Sequence, residues 1–283
     1  MNKNHIIIFV ILLIFLNGCT SYTNISKKSK NSPIITPYSS KSNMDFTLYY
    51  PDKSESRLIP KKVNIKHITK NVEEELIEKL ITGIEDEDVT TILPKKTKVL
   101  STEIADETLY LNLSKDIKNI DITPKNEALL LYSIVNTMTQ LDNINNVQIL
   151  LEGEREEIFV KYYRIGDPII YSNIIVDYEY INPLDTIKVY YDSIKEDDYL
   201  KLVRLFKNKN KKDIMAIEME YSKEKFKEYE ILDYTLNNHG NSVLVNTSTE
   251  ILGLDDNILE KSNVFSLVFD ESQKKFKINE IYE

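Results

Sequence analysis

The sequence has a single cysteine, Cys19, in 283 residues, together with no tryptophan, six glycines and three histidines. A disulfide needs two cysteines and thiolate zinc sites need several, so the chain by itself forms neither. No phosphate-cradling glycine loop, zinc-ligand spacing or Ser/His/Asp nucleophile motif is present. Any folded domain must therefore be stabilised by hydrophobic burial, for which an apolar content of 42% is sufficient.

The sequence also lacks an excess of basic residues. Its 36 basic and 45 acidic residues give a formal net charge of −9. Nucleic-acid-binding proteins present basic surfaces to phosphates. The composition therefore argues against a nucleic-acid partner.

The N-terminus has the pattern of an export signal. Lys3 precedes an apolar run of 11 residues from Ile6 to Leu16, which is short of the roughly 20 needed to span a bilayer. The sequence that follows, ending in Gly18 and Cys19, resembles the bacterial lipoprotein box. In that reading Leu16 and Gly18 are recognised by the signal peptidase, and the Cys19 thiol accepts a diacylglyceryl group. The alternative is an uncleaved anchor helix.

This reading predicts a signal peptide at 1–18 and a location on the outer face of the cytoplasmic membrane, with the membrane contacted through the lipid. Residues 19–43 are rich in Ser, Asn, Thr, Lys and Pro and contain no Asp or Glu. Such a segment cannot bury enough apolar surface to fold, so a disordered tether is predicted. Its lysines either contact anionic lipids or are simply solvated.

Residues 44–165 are predicted to form a first domain. Alternation at Phe46, Leu48 and Tyr50 indicates a strand, and Pro60 places the next extended segment at a sheet edge. The further predicted elements are a helix capped by Asn71 with Glu74 and ended by Gly83, a hairpin of 99–104 and 109–113, a helix starting at Thr123-Pro124 with a buried stripe of Ala128, Leu131, Tyr132, Val135 and Met138, and a strand at 147–151. This order predicts an α+β arrangement.

The same region resembles the GerMN family, named from a sporulation and germination protein. The resemblance is carried by residues 48–52, 93–100, 109–116, 127–139 and 147–153. Lys96 stands where the family usually has Gly, and Asn112 where it often has Asp. The resemblance implies an extracytoplasmic interaction module, often on a lipoprotein, that acts in spore formation, germination or envelope assembly. The family carries no accepted set of catalytic residues.

Three groups of polar residues in this domain are candidate sites. Ser133, Asn136 and Thr137 lie together on the second predicted helix, where hydrogen bonds to nearby backbone explain them better than ligand binding. The acidic run 85–88 lacks the ligand spacing of a calcium loop and is read as solvated. Glutamates cluster in 152–157, where a charged turn is favoured over a catalytic pair. No catalytic, cofactor or metal residue is therefore assigned.

Residues 166–180 are a connector that the sequence assigns to neither domain. Residues 181–283 are predicted to form a second domain with helices after Asn182-Pro183, from Tyr199 to Phe206 and near 222–226, then strands at 229–236, 243–251, 264–269 and 276–281. Residues 207–212 are predicted to form a solvated basic loop, and 238–241 a hairpin turn that contains His239. Segments 183–191, 198–200, 265–269 and 275–278 resemble the cone-shaped nuclear-transport-factor-two-like domains of bacterial lipoproteins.

The whole sequence thus predicts an α+β fold of two small domains, each with helices packed on a mostly antiparallel sheet, behind a lipoprotein signal and a flexible tether. The predicted function is a non-enzymatic, membrane-anchored lipoprotein of a Gram-positive bacterium, acting through self-association or an envelope protein partner. One alternative is a lipoprotein that binds a solute or cell-wall glycan in its C-terminal pocket. A cryptic wall hydrolase is the other, because the many carboxylates do not exclude one.

Overall fold

The structure is a computed structural model that describes residues 44–66, 70–209, 213–223 and 225–283. These residues belong to one compact unit, Asn43–Glu283. The predicted signal peptide with Leu16 and Gly18, the lipid-attachment residue Cys19 and the tether lie outside the described residues, as does His67.

The described chain begins with a two-stranded antiparallel sheet. Strand β1 (Met44–Pro51) pairs along its length with β2 (Leu58–Ile65), so that Tyr49 faces Pro60. Neither strand pairs with another strand in the described part of the chain. Pro60 therefore lies at a sheet edge, as predicted, where its missing N–H removes no ladder hydrogen bond.

The first helix, α1 (Val72–Thr82), ends at Gly83 with a φ of +80°. The hydrophobic periodicity predicts a buried face of Val72, Leu76, Ile77, Leu80 and Ile81, and all of these except the half-buried Val72 are buried. The predicted capping box at its start is wrong, because the Asn71 side chain makes no cap hydrogen bond. Glu74 instead lies 3.3 Å from the Lys70 ammonium.

A four-stranded sheet follows, in the order β3-β4-β5-β6. Strands β3 (Val99–Ala105) and β4 (Thr108–Leu113) form the predicted hairpin, and a 3₁₀ turn (Lys115–Lys118) follows β4. Helix α2 (Pro124–Met138) then crosses to β5 (Asn146–Leu151), which pairs in parallel with β4.

We call residues 44–165 the first half and residues 181–283 the second half. Helix α2 lies at the centre of the first half. The Thr123 side chain accepts the Asn126 N–H at 3.2 Å, which confirms the predicted N-cap. Every residue from Glu127 to Met138 is buried, so the single predicted stripe was too narrow. The reason is that α2 contacts β1 and β2 as well as β5 and β6, and is thus covered by both sheets.

The connector packs against the first half. Strand β6 (Ile169–Ile170) pairs with β5, and helix α3 (Ile174–Asp177) contacts β2. The Tyr180 N–H donates to the Ser56 carbonyl at 2.7 Å. The connector also touches the second half, where the Tyr178 ring lies 5.1 Å from that of Phe269.

The second half opens with α4 (Pro183–Lys195), α5 (Tyr199–Leu205) and α6 (Ile214–Tyr221). Asn182 and Asp198 cap α4 and α5 with their side chains, the former as predicted. The helix predicted near 222–226 is wrong: the third helix is α6, which ends at Tyr221, and β7 begins at Phe226. Ile217 and Tyr221, one turn apart, are the buried residues of α6. Residues 210–212 of the predicted basic loop lie outside the described residues.

Four antiparallel strands complete the fold: β7 (Phe226–His239), β8 (Ser242–Gly253), β9 (Ile258–Asp270) and β10 (Lys275–Tyr282). They form a meander in the order β10-β9-β8-β7. The predicted turn between β7 and β8 is confirmed, and Gly240 takes the positive φ of +61° that it requires. Helix α4 packs against β7, β8 and β10. Both halves thus show the predicted α+β class.

Candidate functional site

The polar residues of α2 are bonded within the fold. The Ser133 hydroxyl donates to the Leu130 carbonyl at 2.8 Å, as predicted for a residue of this type in a helix. Asn136 both donates to the Ser172 carbonyl at 2.9 Å and accepts its N–H at 3.0 Å, so it locks the connector. For Thr137 we expected a hydrogen bond to the backbone of its own helix. Its hydroxyl oxygen instead accepts the Tyr49 N–H of β1 at 3.0 Å.

Glu127, on the same helix, is a structural residue that the sequence did not reveal. Its side chain is fully buried, and its two carboxylate oxygens accept the successive backbone N–H groups of residues 160–163 at 2.8–3.1 Å. Successive N–H groups turned toward one anion form an anion-binding nest. Glu127 therefore shapes the loop that leads into the second half. The signal available in the sequence was a glutamate directly before the apolar run Ala128–Leu131.

The acidic clusters are paired with lysines. Asp86 and Asp88 lie 2.8 and 3.0 Å from the Lys61 ammonium, and the hydrogen bond from Lys61 lowers the pKa of Asp86. Glu156 similarly pairs with Lys115 at 3.0 Å and with Lys118. Within the described residues, no group of three or more His, Cys, Asp and Glu side chains is placed to hold a metal ion.

A cavity of about 620 Å³ in the second half is the candidate binding site. Its walls include Tyr190 and Tyr191 of α4, Tyr221 of α6 and Phe226 of β7, all of them largely buried. Asn263 of β9 donates its amide N–H to the Tyr191 hydroxyl at 3.1 Å. The four aromatic rings belong to an edge-to-face cluster, in which the Tyr190 and Tyr221 ring centres are 5.8 Å apart.

The rim of this cavity is apolar on one side and of mixed charge elsewhere. Ile258 and Leu259 of β9 are 63% and 54% exposed. The charged residues of the lining are Glu220, Lys223, Lys225, Asp255, Lys261 and Glu283. Three of these side chains are acidic and three are basic, so their formal charges cancel. Largely apolar walls with a few hydrogen-bonding groups, and equal numbers of acidic and basic side chains, suit an uncharged ligand with apolar groups and hydroxyls.

His239 is the exposed last residue of β7, directly before the turn to β8. It is not among the residues that line the cavity. In the described parts of the chain, no helix is both long enough and apolar enough to span a bilayer.

Comparison with known proteins gives one family match. Residues 47–157 match the family model described as "Germane: Sporulation and spore germination". Residues 47–157 resemble a GerMN domain. The match runs from within β1 to the end of the glutamate cluster. It therefore includes Glu127, but neither the N–H groups of residues 160–163 that Glu127 binds nor any of the second half. Among curated proteins, none matches the chain significantly.

Three solved structures are similar to parts of the chain. The tandem GerMN domains of the sporulation protein GerM from Bacillus subtilis are 22% identical with a TM-score of 0.40, over 46% of this chain and 46% of that one. A provisionally named lipoprotein from Clostridium perfringens is 25% identical with a TM-score of 0.33, over 50% and 95%. A provisionally named NTF2-like transpeptidase from Campylobacter jejuni is 15% identical with a TM-score of 0.27, over 35% and 99%. The chain thus matches less than half of the tandem GerMN structure.

Proposed function

We propose that this protein is a non-enzymatic, lipid-anchored interaction protein that acts in spore formation, spore germination or envelope assembly. The observation that carries the proposal is the match of residues 47–157 to the sporulation and spore germination family model. The bonding of Ser133, Asn136 and Thr137 to backbone groups supports a structural rather than a catalytic role for them.

The proposed place of action is the outer face of the cytoplasmic membrane. The support is in the sequence: the short apolar run ends at Leu16, Gly18 and Cys19 in the pattern of a lipoprotein box. Two acyl chains on Cys19 would hold the protein stably at the membrane, since each buried CH₂ contributes about 0.8 kcal/mol.

One interaction included in this proposal is the association of two or more copies of the chain. Strand β3 pairs only with β4 among the described residues, so its other edge has no strand partner there, and we propose that a strand of another copy pairs at this edge. Leu100 on β3 and Tyr110 on β4 are 44% and 39% exposed. Sedimentation of the full chain in detergent over a range of concentrations tests this form, and a strictly monomeric chain would exclude it.

The main test is the titre of heat-resistant spores in the spore-forming host. We expect a deletion strain to lose spores, and a strain carrying Cys19→Ala to show a matching loss because the protein is no longer anchored. Immunoblots of membrane and culture fractions must show that the variant is made and released. An unchanged titre in the deletion strain would contradict a role in forming such spores, and germination kinetics would then test the second role.

The cavity favours a second candidate function, the binding of an uncharged solute or cell-wall glycan by the C-terminal half. Its support is the volume of about 620 Å³ and the tyrosine-rich walls. Saturable binding of soluble wall glycan by the full chain, weakened by Leu259→Asp at the exposed rim, is the expected result. Leu232→Asp is the matched control, because Leu232 is 49% exposed and lies outside the lining.

A further inference from the structure

A second concave surface lies apart from the tyrosine-rich cavity. It runs between the end of α5 and the hairpin that joins β9 to β10, with a volume of about 860 Å³. We call it the basic groove, because its lining includes five cationic side chains: Arg204, Lys207, Lys209, Lys275 and Lys277. Only two acidic side chains, Asp270 and Glu271, share the lining. The groove is thus cationic on a chain whose formal charge is −9.

Three of these cations are uncompensated. Arg204, Lys207 and Lys275 are exposed and form no ion pair within the described residues. Lys209 differs, since it lies 3.5 Å from Glu220 and 4.5 Å from the centre of the Phe206 ring.

One of the two acids of the groove, Asp270, is hydrogen-bonded within its own turn. Asp270 Oδ1 accepts the Ser272 hydroxyl at 2.6 Å and the N–H groups of Ser272 and Gln273 at 3.0 and 3.2 Å. These bonds, the one from the Ser272 hydroxyl above all, lower the pKa of Asp270. The carboxylate therefore organises the hairpin.

Lys277 adds a buried charge to the groove. Its side chain is only 7% exposed, and its ammonium donates to the Arg204 carbonyl. No carboxylate lies within ion-pair distance of it in the described chain. Burial lowers the pKa of Lys277, so a bound anion would favour its charged form. A buried ammonium held by a carbonyl alone is costly unless something else compensates it.

We propose that the basic groove binds the phosphate groups of an anionic, phosphate-bearing polymer. Cations from two separate segments are spread along a concavity, which suits several anionic groups on one flexible chain. A flat lipid surface cannot enter a concavity of this size. Single-stranded nucleic acid is disfavoured because the lining aromatics, Phe206 and Phe269, are buried and offer no open face for base stacking. This site is independent of the function proposed for residues 47–157.

The test measures binding of sodium tripolyphosphate, a soluble probe of this chemistry, to the full chain in non-ionic detergent by calorimetry. We expect the doubly substituted Lys207→Glu/Lys275→Glu chain to bind at least about tenfold more weakly, since two attractions become repulsions. The matched control is Lys62→Glu/Lys96→Glu, which changes the net charge equally at exposed lysines of the first half. The control should bind within about twofold of the unsubstituted chain, and the affinity of that chain should fall as NaCl is raised.

Three outcomes would overturn the proposal. One is the absence of tripolyphosphate binding by the unsubstituted chain at millimolar concentration. Another is an equal loss in both substituted chains, which would show a general charge effect. The last concerns the binding of two comparison ligands: detergent micelles doped with phosphatidylglycerol, and a single-stranded oligonucleotide. If either bound in a groove-dependent way while tripolyphosphate did not, the groove would be a lipid or nucleic-acid site instead.

Discussion

At the scale of single residues, Glu127 shows how a charged group becomes part of a core. Its carboxylate has no cationic partner among the described residues and is instead satisfied by four backbone N–H groups. Hydrogen bonds to a charged acceptor are stronger than those between neutral groups. The N–H groups of residues 160–163 are thus hydrogen-bonded to one side chain rather than to a neighbouring strand.

We predict that Glu127→Gln lowers the free energy of unfolding by about 2–4 kcal/mol. The amide keeps one acceptor oxygen, so N–H groups now bonded to the other oxygen lose their acceptor, at about 1–3 kcal/mol each. Urea unfolding followed by circular dichroism measures the change. Glu154→Gln is the control, because Glu154 is exposed and makes no side-chain hydrogen bond in the described structure; equal stability of the two variants would contradict the assigned role.

At the scale of elements, the turn between β1 and β2 is built around Asp52. Its carboxylate accepts the Ser56 N–H at 2.6 Å and the hydroxyls of Ser54 and Ser56 at 2.8 Å. Burial by itself raises the pKa of Asp52, but these hydrogen bonds outweigh it and leave the pKa below its ordinary value. The turn also anchors the connector, since the Ser56 carbonyl accepts the Tyr180 N–H.

This turn predicts a pH dependence. Because the pKa of Asp52 is lower in the folded than in the unfolded chain, its contribution to stability is full above the unfolded pKa of about 3.9 and is lost as the pH falls through the folded-state pKa. Asp52→Asn should therefore lower stability at pH 7 and flatten the slope of unfolding free energy against pH below about 4. Urea midpoints between pH 2.5 and 7 measure it, and parallel curves for the two chains would refute the prediction.

Helix α2 supplies a second prediction at this scale. Thr123→Ala removes the acceptor of the Asn126 N–H at the start of the helix and should cost about 1 kcal/mol. Thr123→Ser keeps that oxygen and should retain most of the stability. Thermal unfolding of the three chains separates them, and an alanine variant as stable as the serine variant would argue against the cap.

At the scale of the whole molecule, the two halves share contacts through the loop 160–165 and β7. The N–H of Arg164 donates to the Leu236 carbonyl at 2.8 Å, and the Leu236 N–H donates to the Tyr162 carbonyl at 2.8 Å. The Tyr162 ring stacks on that of Tyr234 with 5.3 Å between centres. The described residues belong to one compact unit, so we expect the two halves to unfold together.

We accordingly predict one unfolding transition for the intact chain, seen at the same urea concentration by probes in β5 and β8. Tyr234→Ala removes the ring stack and should separate the two midpoints or broaden the transition. Hydrogen exchange followed by mass spectrometry reports both strands. Tyr110→Ala, at an exposed tyrosine, is the control; two resolved transitions in the unsubstituted chain would contradict the prediction.

The sequence predicts local features far better than the pairing of distant segments. The caps at Thr123 and Asn182 and the turn at Gly240 follow from a few neighbouring residues. The basic groove could not be foreseen, because it forms only when Lys207 and Lys275, distant in sequence, meet across α5 and β10. The extent of burial of α2 was missed for the same reason, since no periodicity shows that a second sheet covers it.

The shared body of the two halves has a mechanical consequence. If the first half docks on a partner or on another copy through the outer edge of β3, the second half is carried with it, because backbone hydrogen bonds join loop 160–165 to β7. Copies added along such an edge would then repeat the cavity and the basic groove at one regular spacing. A weak site repeated in this way engages a long polymer by avidity.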